Sequence, residues 1–222
     1  MPLRAVLFDL DGTVLDTAPD MVGALNALRA EHQLAPLPFE SVRDRVSHGA
    51  ARVVRAGFAD AGAEQFAALQ RRFLEIYAAN LSSETHLFPG MDEVLDGLTE
   101  RGLATGIVTN KAAWLTDPLL EQLGLRGRFA CVVSGDTVSE RKPHPLPMLH
   151  AAKLVGVGAS ECIYVGDAER DVQAAHAAGM SALVAAYGYL HPGEDWQSWG
   201  ADAGLTLPAD LLPWLDRSGR LG

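Results

Sequence analysis

Cysteine is almost absent. The 222-residue chain holds two, Cys131 and Cys162, too few for a disulfide framework. Each opens an apolar run, which suits a buried thiol in a reducing compartment better than catalysis or metal binding. Basic runs are missing too: 18 Lys and Arg stand against 28 Asp and Glu, giving a net charge of −10 and a pI near 5.1. That balance offers no electrostatic footprint for nucleic acid or for an anionic membrane. No apolar stretch reaches membrane-spanning length, and Met1-Pro2-Leu3-Arg4 runs straight into an apolar segment without the layout of a signal peptide. We therefore expect a cytoplasmic protein whose partner is neither nucleic acid nor membrane. Repeats and low-complexity tracts are lacking as well. A composition of 48% hydrophobic and 21% charged residues is that of an ordinary globular chain, long enough to bury a substantial core.

What is present centres on Ala5 to Thr13, AVLFDLDGT. A short aliphatic run bounded by Gly fits a strand buried on both faces, as in a parallel sheet covered by helices. In extended chain residues i and i+2 project to one side, so Asp9 and Asp11 would converge at the strand's C-terminal end. Two such charges need a cation or proton to compensate them, and Mg²⁺, a hard ion that prefers oxygen ligands, is the natural partner. A strand ending in a polar turn, with Asp11-Gly12 as its corner, is the plainer reading of the same residues.

Downstream the pattern changes twice. Thr17 and Asp20 have capping-box spacing, and Pro19 suits a first turn, so a helix should start there. Further helical stripes follow at Phe39, Val42 and Val46, at Val53, Val54 and Phe58, and at Phe66, Leu69, Phe73, Ile76 and Tyr77. Between the stripe that ends at Val46 and the one that begins at Val53, Ser47-His48-Gly49-Ala50-Ala51-Arg52 reads either as a helix N-terminus that receives an anion, with His48 or Arg52 adding charge, or as a simple helix-helix turn. From residue 90 strands and helices alternate. Strands are expected at Ala104 to Val108, Ala130 to Ser134, Cys162 to Val165 and Ala182 to Ala185. The first three lead into polar groups: Thr109-Asn110-Lys111, Gly135-Asp136 with the loop through Lys142-Pro143, and Gly166-Asp167 with Asp171 four residues on. Each tip taken alone passes for turn chemistry. In a doubly wound parallel sheet, however, strand ends share one edge, and ligands bind there. The fold expected is α/β, a doubly wound parallel sheet formed by residues 1–16 and 86–222, with an inserted α-helical cap domain at 17–85.

Asp9-x-Asp11-Gly12-Thr13, then Thr109-Asn110, then Lys142-Pro143, then Gly166-Asp167 with Asp171, resembles the four ordered motifs of the haloacid dehalogenase superfamily. The insertion after the first motif resembles its helical type-one cap. The resemblance implies a Mg²⁺-dependent phosphatase working through an aspartyl phosphate. Asp9 would be the nucleophile, and Asp11 would protonate the leaving group and then activate water. The Asp9 carboxylate, the Asp11 carbonyl and Asp167 would hold the metal. Thr109 and Asn110 would bind phosphoryl oxygens, Lys142 would balance charge, and Gly12, Thr13, Gly166 and Asp171 would support them. Ser47, His48, Gly49 and Arg52 are candidate substrate contacts from the cap. Because the chain is acidic overall, an anionic substrate requires positive charge supplied locally at the site.

Competing functions remain open within that resemblance. A dehalogenase needs the first Asp without the second as acid/base, so the presence of Asp11 favours phosphoryl transfer. A sugar phosphomutase has the same parts, and a silent binding module would not need them intact. Among phosphatases the whole-chain pattern resembles the phosphoglycolate phosphatase group, whose similar bacterial members include N-acetylmuramic acid 6-phosphate phosphatases. The expected partner is a small phosphorylated metabolite.

Overall fold

The run Ala5–Phe8 forms strand β1, and all four residues are buried because β1 lies inside a six-stranded sheet. This computed structural model describes residues 2–191 and 193–220. The remaining strands of the sheet are β4 (Ala104–Val108), β5 (Cys131–Val133), β6 (Cys162–Gly166), β7 (Ser181–Ala185) and β8 (Ala203–Leu205). Their order is β5-β4-β1-β6-β7-β8, and every pairing is parallel. β1 pairs with β4 on one side (Leu7 opposite Gly106) and with β6 on the other (Leu7 opposite Tyr164). The chain thus winds outward from β1 in both directions, and the strand order switches beside β1, where a parallel sheet opens a crevice at its C-terminal edge.

Alternation along β1 sorts its side chains into two cores. Val6 and Phe8 join an apolar cluster with helices α4 (Met91–Glu100), α5 (Ala113–Gln122) and α8 (Leu211–Arg217). Ala5 and Leu7 face a second cluster with α6 (Leu146–Val155) and α7 (Glu169–Ala177). Both cysteines lie in the second cluster, free and buried, and burial pushes each thiol up to about 11.

The sheet has one strand more than the sequence suggests. Ala203-Gly204-Leu205 pairs with β7 as an edge strand. Three residues, one of them Gly, are too few to show a strand period. A Cβ at Gly204 would lie 2.2 Å from the Trp196 ring, so this tryptophan is packing.

A two-residue ribbon joins the sheet to the helices that follow β1. β2 (Leu15–Asp16) pairs antiparallel with β3 (His86–Leu87). Between them come α1 (Ala18–Glu31), two short 3₁₀ segments (Phe39–Ser41 and Arg43–His48), α2 (Ala50–Gly57) and α3 (Ala63–Ala78). The second helix expected around residues 39–46 is thus two 3₁₀ turns. In α3 the residues Leu69, Phe73 and Tyr77, one turn apart, are the ones buried.

The capping box expected at Thr17 and Asp20 does not form. Thr17 makes no side-chain cap bond. Its hydroxyl donates instead to Asp11 Oδ1 at 2.7 Å. Asp20 Oδ2 accepts from Thr85 N and Thr85 Oγ1 at 2.8 and 2.7 Å, fastening the start of α1 to the returning chain. Both side chains are buried at this crossing, where off-helix partners satisfy them better than their own first turn does.

Candidate active site

Asp9 follows β1 directly and is 3% exposed. Its Oδ1 accepts from Leu10 N at 2.7 Å and lies 3.0 Å from Lys142 Nζ. Lys142 has no exposed side-chain surface. Its ammonium reaches Asp171 Oδ1 at 2.8 Å and donates to the Tyr164 hydroxyl at 2.8 Å. One buried cation therefore compensates two buried carboxylates. Asn110 braces the loop that delivers it, donating to Lys142 O and accepting from Lys142 N, both at 3.0 Å.

Asp167, at the end of β6, is the second acidic centre. Its Oδ2 accepts from Ser47 Oγ at 2.5 Å and from Tyr189 N at 3.0 Å, while Oδ1 is buried with no hydrogen-bond partner. Burial, with Asp9 and Asp171 adding repulsion, pushes its carboxyl up to about 7. Carboxylate oxygens of Asp9, Asp167 and Asp171 lie within 4.8 Å of one another. An all-oxygen donor set with an orphaned buried oxygen fits a hard divalent cation. Asp171 has its oxygens engaged by Lys142 and by Ala168 N (3.1 Å), which leaves it supporting the other two.

Glycines let these groups crowd together. Gly12 has φ +83°, and a Cβ there would lie 2.1 Å from Asp167 Oδ2. At Gly166 a Cβ would meet Asp171 Cβ at 2.6 Å. Next to Gly12, Thr13 is fully buried and its carbonyl accepts from the Tyr187 hydroxyl at 3.0 Å.

Asp11 stands apart from the acidic cluster. Its Oδ1 accepts from Thr17 and, at 2.8 Å, from Lys111 Nζ. Asp9 and Asp11 face a common cavity of about 470 Å³ that Thr109 and Asn110 also line. Across it lie Ser47, His48, Gly49 and Arg52, so every candidate from the stretch at residues 47–52 reaches the cavity wall. Ser47 is not a helix cap: the N-cap is Gly49, at φ +82°, and the Ser47 hydroxyl belongs to Asp167. His48 is pushed below its ordinary range by burial and then by Arg170, which makes it a neutral hydrogen-bonding group at pH 7.

Three cations at the cavity have no assigned role in the sequence reading. Lys111 follows Thr109-Asn110, Arg170 sits between Glu169 and Asp171, and Arg141 precedes Lys142; all three line the wall. Arg170 donates to Ser47 O at 2.6 Å and lies 4.0 Å from Asp9 Oδ2. Although burial opposes it, the field of Asp171, Asp9 and Asp167 raises its pKa. These residues give an acidic chain the local positive charge that an anionic ligand needs. Adjacency to the recognisable motifs was their only sequence signal.

A family model of haloacid dehalogenase-like hydrolases matches residues 6–185. The chain belongs to this hydrolase family. It is 45% identical over 208 residues to a phosphoglycolate phosphatase of Xanthomonas campestris pv. campestris (strain 8004), covering 94% of each chain. It is 37% identical over 219 residues to the N-acetylmuramic acid 6-phosphate phosphatase of Pseudomonas aeruginosa, covering 98% of this chain and 97% of that one. Among solved structures, one described as a predicted phosphoglycolate phosphatase from Haemophilus somnus 129PT superimposes with a TM-score of 0.85 at 26% identity, covering 96% of this chain and 97% of that one.

Proposed function

We propose that this hydrolase is a phosphatase that cleaves a small phosphorylated metabolite, of which 2-phosphoglycolate is the first candidate, through an aspartyl phosphate on Asp9. The observation that carries the reading is the division between two neighbouring carboxylates. Asp9 sits among the acidic cluster and its buried lysine, whereas Asp11 faces the same cavity outside that cluster.

Asp9 Oδ1 is occupied by Leu10 N and Lys142, and Oδ2 is the oxygen for in-line attack on phosphorus. As the new P–O bond forms, the ester P–O bond breaks and its electron pair stays on the leaving oxygen. Asp11 protonates that oxygen. It then takes a proton from the water that attacks the aspartyl phosphate, which frees Asp9 and inorganic phosphate. Thr109 and the Asn110 main chain would bind phosphoryl oxygens, with Lys142 and Arg170 offsetting the crowded charge. Mg²⁺ would be held by the Asp9 carboxylate, the Asp11 carbonyl and Asp167, and when bound it neutralises phosphoryl charge. Residues 17–85 act as a cap over the 1–16 and 86–222 core, and closure excludes water from the reaction. Ser47, His48, Gly49 and Arg52 meet the part of the substrate beyond the phosphate.

A second substrate has a specific observation in its favour. The cavity of about 470 Å³ falls in the usual range for pockets that enclose ligands larger than glycolate. That room suits N-acetylmuramic acid 6-phosphate, and the Pseudomonas relative of that name supports it.

The test is phosphate release with Mg²⁺ and with chelator, comparing kcat/KM for the two esters. Wild-type release should depend on the metal, and Asp9→Asn should abolish it while the fold persists. Substantial turnover by Asp9→Asn would remove the nucleophile assignment, and a sugar phosphate isomerised without free phosphate would make the enzyme a mutase.

A further inference from the structure

Asp11 is held by one oxygen only. Thr17 Oγ1 and Lys111 Nζ both donate to Oδ1, at 2.7 and 2.8 Å, and Oδ2 accepts no hydrogen bond among the described residues. A carboxyl group with two donors on one oxygen has its plane and its second oxygen fixed by them. Lys111 comes from the loop after β4 and keeps only 6% of its side chain exposed. A buried ammonium is stable only where partners satisfy it. Here they are Asp11 and the hydroxyl of Tyr77, which accepts from Nζ at 2.7 Å, and Nζ also lies 4.7 Å from the Tyr77 ring centroid. Tyr77 is on α3, in the cap segment, and is 1% exposed. Burial pushes its phenol up to about 12, so the group remains a hydroxyl at neutral pH.

Resting on the phosphatase reading above, we propose that Lys111 is a positioning residue for Asp11, buttressed from the cap by Tyr77, and that this chain presents Asp11 Oδ2 to the leaving oxygen. In the first displacement Asp11, protonated on Oδ2, would pass that proton to the ester oxygen as the P–O bond breaks and that oxygen keeps the electron pair, and the Lys111 ammonium on Oδ1 would compensate the carboxylate so formed. Seating of the cap brings Tyr77 onto Lys111 and so completes the placement of the acid. Cap closure and acid catalysis are thereby linked through one lysine that approaches from the core side.

Leaving-group chemistry separates this role from a structural one. An alkoxide leaves poorly without a proton, whereas 4-nitrophenolate leaves with little help. The parameter to read is kcat/KM, which reports the steps up to departure of the leaving group and not hydrolysis of the phosphoenzyme. Tyr77→Phe and Lys111→Met are compared with wild type on 4-nitrophenyl phosphate and on an alkyl ester, either 2-phosphoglycolate or N-acetylmuramic acid 6-phosphate, whichever wild type turns over faster. The Tyr77→Phe loss should be about tenfold greater on the alkyl ester than on the aryl ester, and Lys111→Met should show a wider gap. Equal losses on both esters, or no loss on either, would overturn the inference. If Lys111→Met does not fold, Tyr77→Phe, which removes one oxygen and keeps the ring, decides alone. Asp9→Asn is run beside them: failure of wild type to release phosphate from any of the esters overturns the phosphatase reading itself, turnover that survives Asp9→Asn overturns the aspartyl phosphate, and loss by Asp9→Asn with equal Tyr77→Phe effects overturns only the role of Lys111.

Discussion

Ser47 Oγ donates to Asp167 Oδ2 at 2.5 Å across 120 residues of sequence, joining the helical segment to the acidic cluster. Two further bonds cross the same seam: Arg170 donates to Ser47 O at 2.6 Å and Arg43 to Gly188 O at 3.1 Å. Ser47→Ala removes a bond to a carboxylate, a type worth about 1.5–3 kcal/mol, and keeps the other two. The loop at residues 43–52 should then open more often in metal-free protein and lose about ten- to a hundredfold in hydrogen-exchange protection. Unchanged protection by mass spectrometry would mean that Ser47 does not fasten the seam.

Asp167 sets a pH dependence of definite sign. Its carboxyl is pushed from an ordinary 3.8 to about 7 by burial and by Asp9 and Asp171. Folded, metal-free protein then binds a proton that the unfolded chain has released between these two values, so this group's contribution to stability falls as pH rises from about 4 to about 7. Metal binding requires the ionised form, so Mg²⁺ affinity should fall about tenfold per unit as pH drops below 7, with proton release on binding. Titration calorimetry in two buffers of different ionisation enthalpy reads both effects. Affinity independent of pH between 5 and 7 would contradict the assignment, and Asp167→Asn should abolish the dependence.

Lys142 offers a second electrostatic test. Removing one member of a buried charge network costs about 3–5 kcal/mol because the remaining charges lose their compensation. Lys142→Met leaves Asp9 and Asp171 without the ammonium that lies 3.0 and 2.8 Å from them. Urea unfolding with chelator should show a loss of about 3 kcal/mol, and Mg²⁺ should restore part of it by supplying positive charge. A change below about 1 kcal/mol in chelator would mean that water or protonation compensates the carboxylates instead.

How much of this was legible depends on the separation between partners. Asp9, Asp11 and Asp167 each follow an apolar run, and burial of those runs in one parallel sheet brings the three to one edge. Lys142 was recognisable from its proline neighbour and its place in the motif order. Lys111 and Arg170 were not, because their meaning lies in Tyr77, 34 residues away from Lys111, and in Ser47, 123 residues away from Arg170. Thr17 departs from its expected role for a related reason: local spacing favours a cap, whereas burial at the crossing gives its hydroxyl to Asp11. The edge strand β8 escaped because three residues carry no period. Local pattern thus located the strand tips, and it missed the side chains whose partners come from another element.

Gly188 lies three residues beyond the end of β7, and its geometry makes a sharp prediction. A Cβ at Gly188 would lie 2.4 Å from Gly12 O, 2.5 Å from Asp167 Cβ and 2.9 Å from Asp167 Oδ2. Two of the three atoms belong to the residue with the orphaned oxygen and the third to backbone, so no flexible side-chain end can yield. Gly188→Ala should therefore displace Asp167, cost about 1–3 kcal/mol as overpacking does, and weaken Mg²⁺ binding by at least about tenfold. Gly23→Ala is the matched control: Gly23 lies within α1 and a Cβ there would meet nothing within 4 Å. It should stabilise the protein by about 0.5–1 kcal/mol and leave metal affinity as it is. Thermal unfolding and Mg²⁺ titration of the two variants read the contrast directly. If Gly188→Ala behaves like Gly23→Ala, the close approach of the loop through Gly188 to Asp167 is not a feature of the folded protein in solution.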